Sequence, residues 1–192
     1  PLAALAAALV ARAPLAGLAP ETLAGLAVAA AKAEALVPLM DPVLAAVPGT
    51  AATWRLPDLV RVMLAVARGK AHISPSTLEA LLGSVCPALL PGLPDLAVAD
   101  LVKLVIALSG LGAQALLEAV AKEVVVRLPD LSLPNLLLVT QGLAQGLDAQ
   151  HTALRDLLAF WPGKLLAKAA GTSTDSGQLS ADQLVKLAVA AG

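Results

Sequence analysis

The sequence predicts an all-α protein, an α-solenoid of stacked helix–turn–helix repeats, each roughly 35–48 positions long. Three observations carry this reading. Ala (43) and Leu (42) together supply 85 of the 192 residues. Both stand at the top of the helix-propensity scale, whereas the aromatic strand formers are scarce, with one Phe, two Trp and no Tyr. Second, five segments repeat one pattern of residue types at fixed offsets. Third, breaks containing Gly separate those segments, two of them rich in Pro. The 58% hydrophobic content exceeds the usual 45–50% of soluble domains and excludes disorder, because such a chain buries ample apolar surface.

Residues 1–17, with Leu2, Leu5 and Leu9, read as the second helix of a truncated preceding unit. The chain opens on Pro1 without a Met and stops at Gly192 inside a helical pattern, so it reads as a piece of a longer protein. Five units follow, starting near residues 18, 54, 96, 131 and 179. Their first helices are anchored on Leu23, Leu59, Leu101, Leu136 and Leu184, at successive spacings of 36, 42, 35 and 48. Five positions before each anchor stands a large apolar residue: Leu18, Trp54, Leu96, Leu131 and Leu179. Directly before it stands a polar one, Thr22, Asp58, Asp100, Asn135 or Gln183, which suits a helix start with free backbone N–H groups.

Apolar residues recur 3 positions on, at Leu26, Val62, Leu104, Val139 and Leu187, as one face of a 3.6-residue period requires. Offset 6 holds only small residues, Ala29, Ala65, Ala107, Gly142 and Ala190, which predicts close approach of a neighbouring helix. Second helices are expected at Pro42–Ala46, after the Ser74-Pro75-Ser76 start, at Ala115–Val124 and at His151–Ala159. Breaks fall at Pro48-Gly49-Thr50 and at Pro91–Asp95, and a polar loop at 171–178 explains the longest spacing. No hairpin of this kind hides its apolar face alone, so the units are expected to stack into a single domain over residues 1–192.

The longest run without a charge is Leu131–Leu147, and it includes Asn135, Thr140, Gln141 and Gln145. A spanning helix needs about 20 mostly apolar residues. This run is shorter and too polar, so no membrane span is expected. One cysteine, Cys86, leaves no disulfide framework and no paired-cysteine metal site. His72 and His151 lack acidic or thiol neighbours at metal-ligand spacing, and Gly163-Lys164 and Gly110-Leu111-Gly112 lack the rest of a phosphate-loop or dinucleotide motif. Neither an enzyme nor a cofactor is expected.

The recurring polar signal is basic. Offset 2 carries Arg61, Lys103 and Lys186, and offset 9 carries Lys32 and Arg68. Offsets −1, 2, 6 and 9 are expected on one face opposite the apolar stripe, aligned by stacking into a ladder. Arg55, Arg61, Arg68 and Lys70 form the densest group of bases, and Asp58 is the one acid between the first and the last of them. Two readings stay open. Asp58–Arg61 and Asp100–Lys103 are i,i+3 ion pairs on a solvated face, or the row of bases follows the phosphates of a single RNA strand. The net charge of −1 supplies no general attraction for nucleic acid.

Asp100–Gly112 resembles the first helix of an octotricopeptide repeat, and Asp58–Ala67 and Gln183–Ala190 resemble it as well. The same pattern occurs in FAST-kinase-like and RAP-domain proteins. The position often held by Trp in that helix is occupied here by Val28, Leu64, Ile106, Gln141 and Val189. The resemblance implies an organellar α-solenoid that works in RNA maturation, translation or ribosome assembly. It points to a structural subunit of a mitochondrial ribosome or similar ribonucleoprotein, with the chloroplast as the alternative compartment. On this reading Arg55, Arg61, Arg68, Lys70, Lys103 and Lys186 are the RNA contacts and the other partners are protein subunits. The competing reading is a protein–protein scaffold without a direct RNA role.

Overall fold

In a computed structural model of the chain, residues 15–169 are described. They are helical, with no strand among them. Four first helices, α1 (Pro20–Lys32), α3 (Leu56–Gly69), α5 (Val98–Leu108) and α7 (Leu133–Gly146), alternate with four second helices. The second helices are α2 (Met40–Ala45), α4 (Pro75–Leu89), α6 (Gln114–Val126) and α8 (Thr152–Ala169). The expected unit on Leu184 and the 171–178 loop lie outside the described residues, as does most of the 1–17 segment.

The repeat governs how the first helices begin. Each has its N-cap four residues before the anchor, at Ala19, Arg55, Ala97 and Ser132, all extended with φ between −61° and −70°. The polar residue directly before the anchor is therefore not the cap, as the sequence pattern suggests, but the third helical residue. Proline explains part of the shift. Pro20, Pro57 and Pro134 occupy the first or second helical position, where no N–H partner is needed and their fixed φ suits the helix. At the third position Asp58 and Asp100 still face the positive end of the helix dipole.

The chain divides into two compact units at Leu96/Ala97, a repeat boundary, with two hairpins in each. In the first, α1 lies along α3, and α2 packs against α1 and α4. In the second, α5 packs along α7, α6 lies against α5, and α8 closes over α6 and α7. The apolar columns are the core: Leu23, Leu59, Leu101 and Leu136 are at most 1% exposed. Each buried leucine contributes about 1.5–3 kcal/mol of apolar transfer energy. Offset 6 serves close approach as its size suggests. A Cβ on Gly142 would stand 2.6 Å from Val105 Cγ1 and 3.4 Å from the Val105 carbonyl oxygen, so α7 reaches α5 only because the side chain is missing.

Most connections contain short 3-10 turns, and those between α5 and α6 and between α7 and α8 are plain turns. Pro91–Asp95, expected as a break, lies in the turn Leu90–Asp95. Between α5 and α6, Gly112 adopts φ +75°, a conformation that favours glycine. Ser74 caps α4, its hydroxyl accepting from Thr77 N–H at 3.3 Å. Asp41 at the start of α2 accepts from Ser74 N–H at 2.8 Å and ties the two second helices of that unit together. In the other unit Trp161 Nε1 donates to Thr140 Oγ1 (2.9 Å), which donates to the Leu136 carbonyl (2.8 Å), so every polar atom in this buried corner has a partner.

One stretch, Pro75–Asp95, is long and apolar enough to cross a membrane by length and composition, a segment other than Leu131–Leu147. It consists of α4 and the following turn, it contains Pro87, Pro91 and Pro94, and 22% of its most apolar window is buried.

Candidate nucleic-acid interface

The expected ladder face is narrower than the sequence pattern suggests. Offset −1 is exposed at Thr22, half-buried at Asp100 and Asn135, and buried at Asp58. Offset 6 is half-buried at Ala29 and buried at Ala65, Ala107 and Gly142. On α7, offset 6 faces the neighbouring α5, where a Cβ on Gly142 would meet Val105. Offset 9 is exposed in all four described units (Lys32, Arg68, Gly110 in the turn just past α5, and Gln145), and offset 2 in three of them (Arg61, Lys103, Leu138), with Gly25 half-buried.

Five of the six expected contact residues lie among the described residues, and all five are exposed. Lys186 lies outside them. Arg55 and Arg61 flank the buried Asp58 carboxylate, each donating to it at 3.2 Å, and Arg55 also reaches Glu21 at 3.8 Å. Lys103 pairs with Asp100 at 2.7 Å. The i,i+3 pairs anticipated from the spacing therefore form. They do not bury the bases: the Arg55 and Arg61 side chains remain 70% and 46% exposed. Arg68 ends α3, and Lys70 opens the turn Lys70–His72. Arg61 and Arg68 are seven residues apart, so they lie on one side of α3 about 10 Å apart along its axis.

The two units present ladder faces of different chemistry. In the first, Lys32 of α1 and Arg68 of α3 line one cleft of 540 Å³, together with Glu34 and His72. In the second, the corresponding groove of 220 Å³ is lined by Ile106, Ser109, Leu138, Gln141, Gly142 and Gln145, with no charged group. The sequence places Lys32 in the offset-9 column but gives no sign that His72 or Glu34 joins it. The 3-10 turns after α1 and α3 bring them there, and such turns have no marked apolar period.

Among the described residues no group of three or more His, Cys, Asp or Glu side chains is placed to hold a metal. Cys86 is half-buried, and desolvation pushes its thiol up from the usual range, which keeps it in the unreactive neutral form. No family model matches the chain, and no curated protein or solved structure is significantly similar to it.

Proposed function

We propose that this chain is an organellar RNA-associated helical-repeat protein whose hairpins stack as an α-solenoid, most concretely a structural subunit of a mitochondrial ribosome or a similar ribonucleoprotein. The observation that supports this reading is the exposure of offsets 2 and 9, which in the first unit hold Lys32, Arg61 and Arg68 at three of four positions. Arg55, Lys70, Lys103 and Lys186 extend the set. Contacts of this kind go to phosphates, which position a strand without reading its bases.

The test is binding of a single-stranded RNA across a salt series. Three phosphate contacts give a slope of log K against log salt of about −2. A triple variant, Lys32→Ala, Arg61→Ala and Arg68→Ala, should bind more weakly at low salt and with a flatter slope. Salt-independent binding, or a triple variant equal to the parent, would count against phosphate contact.

A second reading, a protein–protein scaffold, draws on the other unit. Ile106 and Leu138 line one groove there, each 41% exposed, with no charge among the groove residues. Exposed apolar groups gathered in one place mark interaction surfaces more often than singly scattered ones. Retention of partner subunits at high salt, with RNA lost, would favour this reading.

A further inference from the structure

Of the bases on the described first helices, Arg61 and Lys103 each hold an aspartate, whereas Lys32 and Arg68 have no hydrogen-bond or ion-pair partner among the described residues. These two uncommitted bases come from adjacent helices of the first unit and line the same 540 Å³ cleft, and His72 lines it too. Each base also sits in the last turn of its helix, where the carbonyl ends favour a cation. That accounts for one base per helix. It does not require the two bases and an imidazole to line one cleft.

The cleft has the makings of a ligand site besides its charge. Its volume falls within the range of about 300–1,000 Å³ usual for ligand clefts. Val37, Pro38 and Met40 give it an apolar wall, and the Met40 side chain lies against Gly69, leaving no room for a Cβ there. Glu34 is its one acid. A guanidinium fork, an ammonium and an imidazole offer more donors than the two oxygens of a carboxylate accept, and they match the three terminal oxygens of a phosphate monoester. The apolar wall suits a flat organic body attached to that phosphate, and Glu34 can accept from a hydroxyl or amino group on it.

We propose that this cleft binds a phosphate monoester carrying a planar body, of the size of a mononucleotide, with Lys32, Arg68 and His72 on the phosphate. The site shares Lys32 and Arg68 with the proposed RNA row but differs from it in needing a terminal phosphate and an apolar wall. It does not depend on a strand running along α3.

The test is calorimetric titration of the 192-residue chain with adenosine 5′-monophosphate and, separately, with adenosine. The monophosphate should bind at least about tenfold more tightly, the equivalent of one charge-assisted contact. Lys32→Ala and Arg68→Ala should each weaken it by about tenfold, while Glu34→Gln, which removes the opposing charge, should tighten it. Lys122→Ala, an exposed base on α6, should leave binding unchanged. All four side chains are exposed, and circular dichroism of each variant should match the parent. A hexaribonucleotide with and without a 5′-phosphate separates the two sources of such a group. Preference for the phosphorylated form assigns a strand end, and binding of the monophosphate alone assigns a free nucleotide. Equal affinity for adenosine and its monophosphate, no binding of either, or full affinity in both Lys32→Ala and Arg68→Ala would overturn the proposal.

Discussion

Asp58 is 2% exposed yet lies between two arginines that are largely in water. Screening on the arginine side reduces what the two pairs contribute, so Asp58→Asn should destabilise the protein by about 1–2 kcal/mol in urea unfolding. The more telling consequence concerns binding, since Arg55 and Arg61 lose the carboxylate that orients them. Asp41 differs in kind. The Ser74 N–H holds its carboxyl below the usual carboxylate range, Thr77 and Ser74 hydroxyls add to this, and partial burial opposes it. The unfolded carboxyl takes up its proton near pH 4, before the native one does. The stabilisation is therefore complete above that pH and is lost as pH falls through the native value. Thermal melts between about pH 2 and 6 should show this loss in the parent and not in Asp41→Asn, which is less stable at neutral pH.

At the scale of the helix, the glycines separate two roles that composition alone conflates. Gly142 sits where α7 meets α5, and an added methyl group would press on a stiff β-branched side chain and a carbonyl. Gly142→Ala should cost about 1–3 kcal/mol by overpacking, measured as a lower denaturation midpoint. Gly25 in α1 has nothing within 4 Å of its Cβ position. Gly25→Ala should raise stability by about 0.5–1 kcal/mol, because alanine in a helix loses less backbone entropy on folding. The repeat columns made the position of each first helix legible, since Leu at the anchor and small residues at offset 6 follow the helical period. The start of the helix was harder to read. Prolines occupy the first or second position in three of the four first helices, the cap lies four residues ahead of the anchor in all four, and an Ala or Arg cap has no side-chain signature.

For the molecule as a whole, the contrast between units sets the expected distribution of charge-dependent binding. The first unit carries Lys32, Arg61 and Arg68 at exposed ladder positions, and the described residues of the second carry Lys103 among Leu138, Gly110 and Gln145. Losing the three bases of the first unit should flatten the RNA salt slope by about 2, and Lys103→Ala alone by less than about 1. A net charge of −1 spread over 192 residues hides this asymmetry. Only position on the exposed columns reveals it.

The sequence by itself determined the helical class, the hairpin repeat, the leucine core and which bases face water, because each follows from a short-range period that a chain of Ala and Leu obeys almost regardless of its neighbours. Tertiary structure decided what those bases do. A base meets an aspartate three residues away through the period of its own helix, but whether it faces a cleft with a base from another helix depends on how adjacent helices end. The 3-10 turns that carry Glu34 and His72 to the cleft carry no period for a reader to follow. The pairing of Arg61 with Asp58 and of Lys103 with Asp100 was therefore visible in their spacing, and the cleft shared by Lys32 and Arg68 was not.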